Sequence, residues 1–328
     1  MRAWLLDDFT GIGRLRLAEL PDPVPQEGEI VLRIAYASLN PADRYLAERL
    51  YPAKPALPHV LGRDGMGTVE RLGPGVTLLR LGDRRAILRS DVGVNRPGTF
   101  AERVAVPVDS LVEIPAGWSD PEAAGATLVY LTAYQALTMW GSLPSDSLVL
   151  VTGASGGVGA AAVQLARAMG YRAIALSRSE EKRRRLRELG ATNTFDPGDP
   201  DWGRSAKAAI APRRVDLAID NIGGKLLPEV IDLLGDLGKV SVVGRLAGPV
   251  PEFNTATLFF RRIRLGGVAV GAWTSAESRA AWGEVLRLLS SVDARPLVDS
   301  VFPFEDLPKA FERLAQGPMG KVVVTVGA

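Results

Sequence analysis

The sequence predicts an α/β protein of two domains, one a doubly wound parallel sheet and the other a smaller β-rich module. Three observations predict this. The chain has 328 residues, more than the roughly 100–150 typical of one domain. Its first 120 or so residues are rich in Pro and Gly and carry short runs of strand character. From Ser147 onward, strand-like and helix-like segments alternate, the pattern of a parallel sheet covered by crossover helices.

In chain order, Glu29–Ile34 alternates polar and apolar side chains, as a half-buried strand should. Further strands are expected at Gly67–Arg71, Asp83–Leu88, Phe100–Val106 and Ser110–Ile114, punctuated by turn residues. Ser119-Asp120-Pro121-Glu122 reads as a helix start, with helix continuing through Ala133–Met139. Strand Leu148–Thr152, helix Val158–Met169, strand Arg172–Leu176 and helix Glu180–Leu189 follow. Strands at Leu217–Ile219 and Lys239–Val243 flank a helix at Lys225–Leu234. The last part carries amphipathic helices at Ser278–Leu289 and Glu305–Ala315 and a strand at Lys321–Val326.

Composition excludes several chemistries. There is no Cys, which removes disulfides, Cys-based zinc sites, iron–sulfur clusters and a Cys nucleophile. There is one His, His59, read as an ordinary loop residue. The formal net charge is +2. The densest basic run, Lys182–Arg185, lies inside an expected helix without interleaved aromatics, so no nucleic-acid partner is expected. No apolar run reaches the roughly 20 residues of a spanning helix, and the N-terminus lacks signal-peptide character. A cytoplasmic protein with no membrane partner is expected.

The most informative segment is Val149-Leu150-Val151-Thr152-Gly153-Ala154-Ser155-Gly156-Gly157-Val158-Gly159. A glycine-dense turn between an apolar strand and a helix lets backbone approach a pyrophosphate, whose charge meets the amides of the helix start. Ser155, Gly156, Gly157 and Val158 are thus the expected phosphate contacts in a Rossmann cofactor domain. The next strand ends in Ser177-Arg178-Ser179, followed by Lys182, with no acid in the immediate loop for a ribose diol. A hydroxyl, a guanidinium and an ammonium suit a 2′-phosphate, so Ser177, Arg178 and Lys182 predict NADPH.

The chain resembles the medium-chain dehydrogenase/reductase superfamily, and within it the zinc-free, zeta-crystallin-like quinone oxidoreductases. The resemblance rests on Ser38–Asp43, Tyr51-Pro52, Leu61–Gly67, Leu131–Tyr134, the glycine loop, Glu188–Ala191 and Gly320–Val324, and it spans essentially the whole chain. It implies a GroES-like β-barrel substrate domain from 1–123 and 268–328, with a Rossmann domain, 124–267, inserted between. It also implies a homodimer joined through the strand around Arg264–Val270, and an acceptor pocket built from loops such as Ser90–Pro97. Zinc-dependent relatives carry a Cys, a His and a third ligand where this chain has Asn40, Arg63 and Leu128, so zinc is not expected.

The resemblance assigns candidate roles. Asn40 is placed to hydrogen-bond substrate or the nicotinamide ribose; by itself it reads equally as a turn residue before Pro41. Tyr51 matches a residue able to donate a proton to an enolate-like oxygen, or to line the pocket. Asp43, Tyr45 and Thr132 match positions near the cleft or nicotinamide. Arg63 is expected to pair with Asp43 or Asp64. On the cofactor side, Asn221 follows a buried strand, and Gly244-Arg245-Leu246 and Val268-Ala269-Val270 match segments lining the nicotinamide half. Without a metal to stabilise an alkoxide, reduction of a quinone or activated enone is favoured over alcohol oxidation. An enoyl-thioester reductase acting on CoA or carrier-protein substrates is the second reading. A nucleotide-binding protein with little turnover is the third.

Overall fold

The central strands of the second half, Leu148–Val151 and Arg172–Leu176, carry continuous apolar runs, and such runs are stable only where both faces are covered. The computed structural model, which describes residues 1–88, 91–248 and 254–327, bears this out; Ser90 of the expected acceptor loop lies outside the described residues. The strand Leu148–Val151 is buried at every position. It sits in a six-stranded, wholly parallel sheet of order Ala191–Phe195, Arg172–Leu176, Leu148–Val151, Val215–Asp220, Leu234–Val242, Arg264–Gly267. That is the 3-2-1-4-5-6 order of a Rossmann fold. Fully buried Leu150, Ile174, Val230 and Val240 belong to its core, each worth about 1.5–3 kcal/mol in transfer from water.

The other sheet draws on both ends of the chain. Its order is Val298–Pro303, Lys321–Thr325, Glu29–Ser38, Asp64–Leu72, Arg84–Ile87, Leu111–Glu113, with Arg103–Pro107 also pairing to Glu29–Ser38. Apart from the parallel pair formed by the last two strands of the chain, its pairings are antiparallel. A small sheet of Arg16–Glu19, Arg2–Leu6 and His59–Val60 completes this GroES-like part. His59 is thus a buried strand residue rather than a loop residue, and burial holds its imidazole below the ordinary histidine pKa.

The chain divides into two compact units, Met1–Leu128 with Trp273–Arg279 and Arg295–Ala328, and Val129–Ala272 with Ala280–Ala294. Residues 124–128 therefore group with the first unit, and 268–272 and 280–294 with the second, where the expected division cut at 123 and 268. Not expected from the sequence pattern are the helices Pro41–Ala47, Trp202–Ile210 and Ala256–Phe260 and the strands Arg2–Leu6, Arg16–Glu19, His59–Val60, Ala191–Phe195 and Val298–Pro303. Among the described residues no helix is long and apolar enough to cross a membrane.

Candidate active site

In the second unit, the carboxyl ends of the parallel strands gather the expected cofactor segments. Gly153 has φ +56°, a left-handed turn that glycine adopts without strain. A Cβ on Gly159 would lie 2.4 Å from the Gly153 carbonyl oxygen and 2.5 Å from Ala154 Cα, so glycine is what lets the helix sit against the turn. That helix, Gly157–Ala168, has Gly156 as its N-cap, no side-chain cap and no acid in its first turn. Its leading amides are thus left for an anion. Ser155, Gly156, Gly157 and Val158 are all half-buried, within reach of solvent.

Neighbouring strand ends are tied to this loop. Thr152 Oγ1 donates to Asp220 Oδ1 at 2.8 Å, and Asn221 donates from its backbone to Thr152 Oγ1 and from Nδ2 to the Thr152 carbonyl. Asp220, wholly buried, also accepts from the amides of Ile222 and Gly223, fixing the turn that carries Asn221. The amides of Val243 and Gly244 donate to the Asp220 carbonyl, and that of Val268 to Val242. The structure therefore assembles 152–158, 220–223, 243–247 and 268 along one edge, where open α/β sheets bind ligands. The residues fit a dinucleotide.

The loop after Arg172–Leu176 lies on the same edge, the Ala154 amide donating to the Leu176 carbonyl. Ser177 is buried, Arg178 exposed and Lys182 half-buried, while Ser179 caps the helix Glu180–Leu189 through the Lys182 amide. Arg183, which the sequence reading passed over as part of a basic run, supports the loop from behind. Its Nη1 donates to the Ser177 carbonyl at 2.7 Å, and it pairs with Glu180 and Asp196. The i,i+3 spacing from Glu180 was its only local signal.

In the first unit, residues far apart in sequence converge on a buried ion cluster. Asn40, in extended conformation, is the N-cap of the helix Pro41–Ala47, with Pro at its first turn, and its backbone amide donates to Asp43 Oδ2 at 2.8 Å. Lys321 Nζ donates to Asn40 Oδ1 at 2.6 Å and lies 3.2 Å from Asp64 Oδ2. Asn40 Nδ2 reaches Asp64 Oδ2 at 3.3 Å, and Thr127 Oγ1 donates to Asp64 Oδ1 at 3.1 Å. All five side chains are buried. Gly125 makes room: a Cβ there would stand 3.1 Å from Lys321 Cβ. Among the described residues, Asp43 Oδ1 has no hydrogen-bond partner. Burial pushes the Asp43 carboxyl up to about 6, with the Asp64 charge adding to this and the Asn40 amide, Arg63 and Lys321 opposing it.

This corrects the expected pairing of Arg63. Lys321 supplies the cation beside Asp64, because the closing strand runs next to Glu29–Ser38 and delivers its ammonium from within the core. Arg63 turns instead to Tyr51: its Nη1 donates to the phenol oxygen at 2.9 Å, and its Cζ lies 5.2 Å from the ring centroid. Tyr51 is half-buried, its ring packed against the core. Asn40 and Asp43 are thus brought together with Asp64, Thr127 and Lys321, and Tyr51 is held by Arg63. Tyr45 is a half-buried residue of the helix Pro41–Ala47, and Thr132 a half-buried residue of Asp120–Thr138 in the second unit.

Fold and cofactor edge define an NAD(P)-binding oxidoreductase built from a GroES-like part and a Rossmann part. Residues 26–116 match the alcohol dehydrogenase GroES-like domain and residues 157–291 the family described as zinc-binding dehydrogenase. Among curated proteins, the chain is 32% identical to the human synaptic vesicle membrane protein VAT-1 homolog, over 100% of this chain and 87% of that one. It is 29% identical to a quinone oxidoreductase of Lama guanicoe, over 99% and 97%. Among solved structures, an NAD-dependent alcohol dehydrogenase superposes with TM-score 0.91 at 30% identity, covering 100% of each chain. A mycobacterial protein solved with NADPH superposes with TM-score 0.89 at 26% identity, covering 99% and 100%. The chain belongs to the medium-chain dehydrogenase/reductase superfamily, in its quinone oxidoreductase-like family.

The description zinc-binding dehydrogenase implies a metal, and the donor set does not fit one. Structural and catalytic zinc takes thiolate, imidazole and carboxylate ligands. Here Asn40 and Asp64 hold an ammonium, Arg63 holds a phenol, and the single imidazole is buried beside the backbone of Gly93. Among the described residues no three His, Asp or Glu side chains gather as a metal site.

Proposed function

We propose that the protein is a metal-independent reductase that uses NADPH to reduce a small electrophile, a quinone or an activated enone. The observation that carries this reading is the Lys321–Asn40–Asp64 cluster, in which an ammonium stands beside the one carboxylate and an amide takes the place of a metal-binding side chain. Bound NADPH supplies hydride to an electron-poor carbon. Charge then moves to an oxygen of the acceptor, where side-chain donors suffice to stabilise it. Tyr51 is the proposed proton donor. Asn40 has its amide committed to Lys321 and Asp64 and serves as the frame that holds the loop, with Asp43 fixing its backbone. Ser155 to Val158 would hold the pyrophosphate, Ser177, Arg178 and Lys182 the 2′-phosphate, and Asn221, Gly244 to Leu246, Val268 to Val270 and Thr132 the nicotinamide half.

NADPH absorbance followed with 1,4-benzoquinone, 9,10-phenanthrenequinone or crotonyl-CoA, with NADH as control, tests the proposal. Faster oxidation of NADPH than NADH with a quinone supports it. Turnover of crotonyl-CoA alone would transfer the assignment to enoyl-thioester reduction, which the Tyr51 donor also suits. Tight NADPH binding without turnover would favour a nucleotide-binding protein.

A homodimer is part of the same proposal. Arg264–Gly267 is the edge of the parallel sheet, with Leu265 exposed, and Phe259 and Phe260 are 64% and 78% exposed. An open strand edge flanked by exposed aromatics is a surface that a second copy would cover. Light scattering of L265D should show a monomer where the wild type shows a dimer; an unchanged mass would remove the edge from the interface.

A further inference from the structure

Arg63 is a half-buried cation with no carboxylate within 4.0 Å among the described residues. The acid beside it in sequence, Asp64, is occupied by Lys321, Asn40 and Thr127. A guanidinium stays charged at any working pH and projects its N–H groups in a fixed plane. One of them, on Nη1, donates to the phenol oxygen of Tyr51 at 2.9 Å. The rest of the group lies over the ring, with 5.2 Å from Cζ to the centroid. An oxygen that accepts from a cationic N–H cannot point its own hydrogen at that nitrogen. The Tyr51 proton is therefore turned away from Arg63, toward whatever lies on the open side of this half-buried ring.

We propose that Arg63 is a positioning residue for Tyr51, aiming the phenol proton and holding the phenolate left when that proton is given up. This rests on the reductase reading above. Hydride addition leaves the acceptor as an anion carrying the transferred electron pair on oxygen. The Tyr51 O–H bond breaks and an O–H bond forms on that oxygen. The electron pair of the broken bond stays on the phenolate, which a charge-assisted hydrogen bond from Arg63 stabilises. A proton from water then restores the phenol, so that one hydride and one proton have been added in all.

The test is a kinetic double-mutant cycle on the full-length protein with R63Q, R63K, Y51F and R63Q/Y51F, using the acceptor that the wild type reduces fastest. If Arg63 acts through Tyr51, R63Q and Y51F each lower kcat by about tenfold or more, with KM changed by less than about threefold. The double variant is then no slower than Y51F within about twofold, and R63K recovers part of the loss. R63Q also raises the solvent deuterium isotope effect on kcat, because proton delivery has become slower. A wild-type kcat in R63Q, losses that multiply in the double variant, or a loss confined to KM or thermal stability would overturn the assignment. Absence of turnover by the wild type with every acceptor would instead overturn the reductase reading, and this inference with it.

Discussion

The two chemically loaded regions of this protein are built in opposite ways. The cofactor edge gathers short contiguous segments, each a strand end followed by a turn, tied by backbone hydrogen bonds and by the side chains of Thr152, Asp220 and Asn221 next to them. The ion cluster gathers single side chains from positions 40, 64, 127 and 321, each held by another member. At that edge the phosphate is expected to meet backbone amides, so exposed side chains there can change while the glycines and the Thr152–Asp220 link remain. A site made of interlocked buried charges fails as a unit, since removing one partner leaves another uncompensated.

Breaking the cluster should give the largest effect. K321A leaves Asp64 buried without its cation and should cost about 3–5 kcal/mol in denaturant unfolding. Pairing K321M with D64L should recover much of that, since the uncompensated charge is then gone. A double variant no more stable than K321A would show that the cluster is not held by its charges.

Asp43 sharpens the comparison by pH. Its folded-state pKa of about 6 is raised above the ordinary value of 3.8, so the native state binds the proton more tightly than the unfolded chain. Its contribution to stability is fully present below about pH 4 and is lost as pH rises through 6. Relative to D43N, which keeps an acceptor for the Asn40 amide, the wild type should lose on the order of 3 kcal/mol across that window. Parallel stability curves for the two proteins from pH 4 to 7 would remove Asp43 as the cause.

At the cofactor edge the expected effects are smaller and selective. R178A should weaken NADPH binding by about tenfold while leaving NADH within about twofold, measured by titration of nucleotide fluorescence. R183Q, which loosens the loop without removing a phosphate contact, should weaken NADPH by only about threefold. Equal losses for both nucleotides would take the 2′-phosphate away from this loop.

The same contrast explains what was legible in the sequence. The strand, turn and helix around Gly153–Gly159 were readable because period, glycines and context all lie within eleven consecutive residues. Lys321 was visible only as part of a closing motif, since nothing local tells a strand lysine that points at solvent from one that crosses a core. Thr127 and Gly125 read as ordinary helix residues for the same reason. Ala191–Phe195 and Val298–Pro303 are sheet-edge strands with largely half-exposed side chains, so their apolar periodicity is weak. The helix Pro41–Ala47 did carry its signals, an N-cap Asn, a Pro and an acid at the third position. Its brevity let Asn40-Pro41 read as a turn.

The sheet that holds Glu29–Ser38 beside Lys321–Thr325 has a bearing on how the protein is made. On the ribosome, the six parallel strands between 148 and 267 emerge as one uninterrupted stretch and can assemble as they appear. The first unit must wait, with Asp64 and Asn40 lacking their cation, until translation has passed residue 321 and the late strand can slot in. The nucleotide-binding half is therefore positioned to mature first, and shortening the chain by its last ten residues should trap a partly folded protein whose early-made segments are the ones left open to proteases.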